Sequence, residues 1–392
     1  MIPYGRQNIN QADIDAVVKV LQSEFITQGP VVPAFEKVVA SYCSALHAVA
    51  VNSATSALHI ACLALGVCKG DIVWTTPITF VASANCALYC GAMVDFVDID
   101  PKTYNLSVER LEEKLVKAEK AGTLPKVVIP VHLCGQPCDM EGINSLSKYY
   151  GFKIIEDASH AIGGRYKDEP IGNCRYSDIT IFSFHPVKII TTGEGGMTLT
   201  NNKQLAKSMR LLRSHGITTD PADMHPRPEG EFWNYQQINL GYNYRMTDIQ
   251  AALGLSQMQR LNDFVSKRHT IAKQYNQMLS ALPVVQPWQH PDSYSSFHLY
   301  VIRLKLDEIN KTHREVYEML RAAGVLVNLH YIPVYRQPYY EQMGFCAGYC
   351  AEAEQYYSEA ISLPMYPGLS ELQQDYVVTV IENALNGQDN HD

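Results

Sequence analysis

Residues 179–200 read ITIFSFHPVKIITTGEGGMTLT, and the fold follows from how they are read. Ile179, Ile181, Phe182 and Phe184 predict a buried strand, His185 and Pro186 a turn, and Lys188 falls in an otherwise apolar run up to Ile190. Taking an ammonium partly out of water costs desolvation free energy. A lowered pKa relieves that cost and leaves a nucleophilic amine of the kind that forms a Schiff base. The plain alternative is a lysine that snorkels from a strand end to water. Gly193, Gly195 and Gly196 then allow a tight turn into a second strand, MTLTN.

Upstream, FKIIEDASHAIG predicts a short apolar strand ending in Glu156 and Asp157, with His160 three residues on. Open α/β sheets build their sites at the carboxyl ends of strands, where Asp157 is placed to hydrogen-bond a protonated ring nitrogen. Pyridoxal phosphate (PLP) needs such a partner, because a pyridinium accepts the electrons of a substrate carbanion. A third piece is HAVAVNSATSALHIACLALG: a strand over 47–51, then an apolar helix over 57–65 closed by Gly66. Between them, Asn52, Ser53, Ala54, Thr55 and Ser56 put small residues and free N–H groups at a helix N-terminus, which makes either an anion site or an ordinary Ser/Thr cap. Ser183 offers a further hydroxyl to the same phosphate.

The rest of the chain alternates. DIVWTTPITFVASANCALYCGAMVDFVDID predicts strand, helix and strand, with Pro77 in the helix's first turn and Phe80 near its start, packed in the core or stacked on a pyridine face. A helix over 108–121, a strand KVVIPVHL, a helix INSLSKYYG and the strand before Asp157 continue the pattern, so a largely parallel sheet covered by helices is expected. His132 and Gln136 lie at a strand end as pocket lining or turn residues. Helices are expected over 10–21, 33–42 and 201–213, and from Thr247 to about Leu282 with breaks. Residues 217–235 read as a long loop and 283–296 as a linker. Beyond them a second α/β pattern has the strands FHLYVIRL and VLVNLHY and helices over 313–324, 351–361 and 370–385.

Composition narrows the function. A chain of 392 residues, 46% hydrophobic, carries an ample core and more than one domain. Its net charge of −8, without a basic cluster, argues against nucleic acid. The N-terminus has no apolar signal region and no segment reaches eighteen uninterrupted apolar residues, so no membrane span and a cytoplasmic location are expected. The ten cysteines show no disulfide framework or zinc-knuckle spacing, no metal site is expected, and the thiols read as reduced. No G-x-G-x-x-G follows the first strand, which counts against a dinucleotide site.

The segments NSATSALH, TTPITFVASAN, EDASHAIG, FSFHPVK, TTGEGG and GYNYRMTDIQAALGLSQ, in this order and over nearly the whole chain, resemble the DegT/DnrJ/EryC1/StrS sugar aminotransferase family. That family lies within the aspartate-aminotransferase-like, fold type I PLP enzymes. The resemblance implies an α/β fold: an N-terminal segment and large PLP-binding domain with a mainly parallel sheet between helices over 1–282, and a smaller C-terminal α/β domain over 283–392. It implies that Lys188 carries PLP and moves the proton, that Asp157 supports the ring, and that His160 supports Asp157 or the ring face. Phe80 would stack on the ring. Ala54, Thr55, Ser56 and Ser183 would hold the phosphate, joined by Asn243 from a neighbouring subunit, so that a homodimer shares its sites; on its residue type alone, Asn243 is equally a turn residue before a helix.

Tyr4, Glu24, Phe25, Ile26 and Thr27, with His330, Tyr331, Ile332 and Pro333, match family positions that contact substrate. Without the resemblance, FITQG is a connecting loop and His330 with Tyr331 an interface pair. Within the family, IPYGRQNI, FITQGP and NLHYIPVYRQPYY look most like the branch making UDP-4-amino-4,6-dideoxy-N-acetyl-β-L-altrosamine for pseudaminic acid. The implied substrates are a UDP-linked 4-keto-6-deoxy-N-acetylhexosamine and, as amino donor, L-glutamate. Three rivals stand beside this reading: another nucleotide-linked 4-keto sugar of the aminoarabinose or perosamine type, sugar deoxygenation, and a non-catalytic PLP-binding sensor. Deoxygenation is disfavoured because that branch has histidine where Lys188 stands.

Overall fold

The computed structural model describes residues 1–226, 231 and 233–386. Strands β1 (His47–Val51), β2 (Ile72–Thr75), β3 (Met93–Phe96), β4 (Val127–Ile129), β5 (Lys153–Asp157), β6 (Ile179–Ser183) and β7 (Gly196–Thr200) form one sheet in the spatial order β1-β7-β6-β5-β4-β2-β3. All pairings from β6 through β3 are parallel, and β7 alone runs against its neighbours. The expected mainly parallel sheet is therefore present.

Side chains alternate between two cores. Ala48 and Ala50 of β1 face one with Phe182 and Met197, while Val49 and Val51 face the other with Ile181. The first core is covered by α2 (Val31–Cys43), α5 (Val108–Ala121) and α6 (Met140–Tyr150). The second is covered by α3 (Ala54–Ala64), α4 (Ala82–Tyr89) and α7 (Lys203–Arg213). A strand buried on both faces has no reason to alternate polar and apolar residues, which explains its unbroken hydrophobic sequence.

Helix starts follow their caps. α1 (Gln11–Leu21) begins at Asn10, whose side chain accepts the Asp13 N–H while Asp13 accepts the Asn10 N–H. α8 (Asp248–Met258) has the same arrangement between Thr247 and Gln250. The long helix expected beyond Thr247 breaks at Gln259–Arg260, and α9 (Leu261–Met278) continues from there.

A third core lies around β8 (Val284–Val285), β9 (Tyr300–Leu304) and β10 (Ala360–Leu363), an antiparallel sheet in that order. α9, α10 (His313–Ala322) and α12 (Glu371–Asn386) pack into it, and α11 (Ala351–Glu359) leads into β10. The segment Ile2–Pro3 pairs in parallel with Val325–Leu326, so the chain's start reaches this core. Arg268 of α9 is buried without a carboxylate partner among the described residues. Its guanidinium donates to the carbonyls of Phe297, His298 and Met365, and burial lowers its pKa to about 9.

Five expectations change. Residues 360–361 leave the helix expected over 351–361, because Ala360, Ile361 and Leu363 are fully buried against β9 and the pairing outweighs helical propensity. The strand expected over VLVNLHY is hydrogen-bonded only at Val325–Leu326, with one further bridge at Asn328. The expected linker adds strands to two sheets, through Val284–Val285 and through Ser293–Tyr294 beside Arg165–Tyr166. Pro77 precedes α4 instead of starting it, since residues 77–79 bend the chain ahead of the cap at Val81. The expected loop over 217–235 is closed at its base by Ile217–Thr218 pairing with Gln236–Gln237, and residues 227–230 and 232 within it lie outside the described residues.

Candidate active site

The carboxyl ends of β1, β5 and β6 open into a cavity of about 690 Å³. Ser53 caps α3, and its Oγ accepts the Ser56 N–H at 3.1 Å. That leaves the N–H groups of Ala54 and Thr55, which line the cavity and donate to no acceptor among the described residues. Two free amides at the start of an eleven-residue helix attract an anion through both hydrogen bonding and the helix dipole. Ser183, at the end of β6, lines the same end of the site.

Asp157 ends β5 and is 4% exposed. Its Oδ2 accepts the Ser83 hydroxyl at 2.6 Å, and its Oδ1 accepts the Ser159 N–H at 3.1 Å. Ser83 in turn lies 2.8 Å from Thr79 Oγ1. Lys188 follows the turn closed by its own N–H to the His185 carbonyl. Burial lowers its pKa to about 8, while the Asp157 charge acts in the opposite direction. A lysine so placed loses its proton far more readily than one in water.

Three buried histidines surround the amine. His160 Nδ1 accepts the Cys134 N–H at 3.3 Å, so the neutral ring carries its proton on Nε2, 3.3 Å from the Tyr331 hydroxyl. His330 Nδ1 lies 2.8 Å from Ser362 Oγ, and burial with Lys188 nearby lowers its pKa to about 3. The His298 ring is 4.3 Å from that of His160, and its Nδ1 is buried without a hydrogen-bond partner among the described residues. Burial, with Lys188 and neighbouring histidines adding to it, holds His160 and His298 well below the ordinary imidazole range. The site therefore keeps its imidazoles neutral beside the lysine.

The mouth is aromatic. Phe80 is 60% exposed, its ring 6.4 Å from that of Tyr331, and the Tyr4 ring lies 5.1 Å from His330. Free helix amides and hydroxyls at one end, a buried carboxylate deep inside and a desolvated amine match the phosphate, ring nitrogen and aldehyde of PLP. The donor set fits that group, and the cavity leaves room for a substrate.

The model of the DegT/DnrJ/EryC1/StrS aminotransferase family matches residues 7–382. The chain belongs to this family. It is 36% identical over 391 residues to the spore coat polysaccharide biosynthesis protein SpsC of Bacillus subtilis, covering 99% of this chain and 98% of that one. It is 38% identical over 392 residues to the UDP-4-amino-4,6-dideoxy-N-acetyl-beta-L-altrosamine transaminase of Campylobacter jejuni, covering 99% of each. Among solved structures, Helicobacter pylori PseC, an aminotransferase involved in the biosynthesis of pseudoaminic acid, superposes with a TM-score of 0.90 at 29% identity, covering 98% of this chain and 99% of that one. The protein is thus a sugar aminotransferase of fold type I, and PLP is its cofactor.

In this aminotransferase the cavity gathers most of the residues singled out in the sequence. Ala54, Thr55, Phe80, Asp157, His160, Ser183 and Lys188 line it, as do Tyr4, His330, Tyr331 and Ile332. Ser56 does not, because its hydroxyl is engaged with Asn52 Oδ1 at 2.7 Å. Pro333 is buried behind the wall. Glu24, Phe25, Ile26 and Thr27 are exposed outside the cavity, and so is Asn243. The two stretches adjoin, since Thr27 bridges Thr247 and the Ile26 carbonyl accepts the Asp248 N–H. His160 makes no hydrogen bond to Asp157; Ser83 and Ser159 provide that support. His132 and Gln136 lie away from the site, bonded to Glu156 and to the Trp288 and His290 backbone.

Sequence reasoning missed Ser83, Thr79 and His298. The spacing of Thr79 and Ser83, four residues apart across the start of an apolar helix, was the available signal for the first two. His298 carries no local signal, because its place is set by Arg268 holding its carbonyl.

Proposed function

We propose that this aminotransferase moves an amino group from L-glutamate to the 4-keto carbon of a UDP-linked 4-keto-6-deoxy-N-acetylhexosamine, yielding UDP-4-amino-4,6-dideoxy-N-acetyl-β-L-altrosamine. The observation that carries the chemistry is one cavity holding a desolvated Lys188 amine, the Asp157 carboxylate and the free Ala54 and Thr55 amides. When bound, PLP supplies an aldehyde that accepts amines and a ring that spreads the electron pair released at a donor carbon. The amides, with Ser183, hold the phosphate, and Asp157 accepts the ring N–H.

Lys188, neutral once the pH passes about 8, takes the proton from the donor α-carbon and delivers it to the carbon on the other side of the transferred nitrogen. The sugar half of the cycle runs the same transfer in reverse. Neutral His160, His298 and His330 leave the amine as the mobile basic group. Phe80, stacked on the ring, and the aromatic mouth restrict water, and Tyr4, His330, Tyr331 and Ile332 line the way for the sugar. Glu24 to Thr27, with apolar Phe25 and Ile26 exposed among them, and the exposed Asn243 complete a site in a partner subunit, so a cytoplasmic homodimer is the working unit.

Similarity to the Campylobacter transaminase supports this acceptor. The comparable similarity to SpsC favours a second reading, amination of another nucleotide-linked 4-keto sugar. The test loads the protein with PLP, adds L-glutamate, and follows the cofactor absorbance to the amine form. UDP-2-acetamido-2,6-dideoxy-β-L-arabino-hexos-4-ulose is then added and the sugar product identified by mass spectrometry and NMR. Return of the original absorbance with an aminated sugar supports the proposal. Return only with a different 4-keto sugar nucleotide discards the altrosamine product and keeps amino transfer.

A further inference from the structure

We infer that Thr79 and Ser83 form a two-hydroxyl relay that aims the Asp157 carboxylate at the cofactor ring, which makes Ser83 a positioning residue for amino transfer. The inference rests on the proposed role of Asp157 as partner of the ring nitrogen.

All three side chains are out of water: Ser83 is 1% exposed, Thr79 3% and Asp157 4%. A serine inside a helix points out to solvent or turns its hydroxyl back on the carbonyl four residues before it. Ser83 instead reaches from the first turn of α4 across to β5, seventy-four residues away in sequence, and ends 2.6 Å from Asp157 Oδ2. It has one proton, and a carboxylate can only accept it. The 2.8 Å contact with Thr79 Oγ1 must then use the threonine proton and the serine lone pair. The direction of the chain is fixed: Thr79 donates to Ser83, and Ser83 donates to Asp157.

Geometry makes the relay rigid. Thr79 is β-branched and stiff about its first side-chain torsion. Its neighbours are not substitutes, since Thr75 Oγ1 is committed to the Ile129 carbonyl at 2.8 Å and Thr76 Oγ1 has no partner among the described residues. With Ser159 N–H on the other oxygen, Asp157 is held from two sides, and each oxygen keeps a lone pair for a ring N–H in the cavity. Phe80 stands between the two relay residues in sequence and lines the mouth, so one short segment places both the ring-facing aromatic and the support of the carboxylate.

The test uses PLP labelled with ¹⁵N in its ring, bound to the full-length protein, with the ring-nitrogen chemical shift followed against pH. In the wild type the ring proton is retained across the working range. In Ser83→Ala it is lost at lower pH, and kcat falls about tenfold to a hundredfold, the factor matching one hydrogen bond to a charged group, while KM for the sugar nucleotide stays within about twofold. Ser83→Thr restores both readings, and Thr79→Val shifts them the same way by less. If Asp157→Asn leaves the ring nitrogen unchanged, the role of Asp157 itself fails and the relay with it. If Asp157→Asn shifts it while Ser83→Ala follows the wild type, the relay alone is overturned. A Ser83→Ala protein that loses activity and melting temperature with an unaltered ring nitrogen also overturns it, because the serine would then serve only packing.

Discussion

Gly196 is pressed against Ser53: a first side-chain carbon on Gly196 would stand 2.5 Å from the Ser53 carbonyl carbon and oxygen, and 2.6 Å from the Ala54 nitrogen. This contact seats the start of β7 against the N-terminus of α3, beside the free amides of Ala54 and Thr55. Gly196→Ala must push that terminus outward, because the obstacle is backbone and cannot rotate away. Cofactor retention is expected to fall about tenfold or more, a loss of roughly 1.4 kcal/mol. Equilibrium dialysis of PLP against the variant measures it, alongside circular dichroism to show an intact fold.

Lys188 places a cost on folding that its role explains. Its pKa is lowered to about 8 in the folded protein against 10.5 in the unfolded chain. Below about pH 8 both states hold the proton and the burial cost is fully present. Between about 8 and 10.5 the unfolded chain binds more protons, so stability is regained as pH rises. Cofactor-free Lys188→Met is therefore expected to be more stable than the wild type at pH 7, by roughly 1–3 kcal/mol, with the gap closing toward pH 10.5. Urea titrations of both proteins at pH 7 and 10 read this directly.

The buried histidines predict the opposite limb. His330 has its pKa lowered from 6.5 to about 3, so between those values the unfolded chain takes up a proton that the folded one refuses. Stability is present above about pH 6.5 and lost as pH falls through that window. His330→Gln is expected to take up about one proton fewer on unfolding in this range, and so to lose less stability between pH 6.5 and 4 than the wild type does. An unchanged slope of unfolding free energy against pH would show that His330 is charged in the fold.

Much of this site was legible because its chemistry is local. The Ser53 to Ser56 turn, the Asp157 strand end and the Lys188 turn each announce themselves in a few residues, and the parallel sheet brings those three strand ends to one edge. What escaped the sequence depends on distant partners. Ala360 and Ile361 read as helix until Arg303 and Ile302 of β9 pair with them, and Ser83 reads as an ordinary helix residue until Asp157 arrives beside it. His298 is aimed by Arg268, thirty residues earlier in the chain.

The exposed Asn243, outside the cavity of its own chain, gives a prediction about assembly. Asn243→Ala and Lys188→Ala homodimers are each expected to be nearly inactive. Mixed after subunit exchange, they should recover about a quarter of wild-type activity per total site, since half of the subunits enter heterodimers and each heterodimer holds one intact site if the phosphate is held across the interface. Exchange without recovery would place Asn243 outside the site.

The account turns on Lys188 as the amine that carries the cofactor, and chemical trapping tests this most directly. The PLP-loaded protein is reduced with borohydride, digested, and mapped by mass spectrometry. A single phosphopyridoxyl mass on the peptide holding Lys188, absent from Lys188→Ala, is the expected result. The same mass on a different lysine, or its persistence in Lys188→Ala, would contradict the assignment of the site.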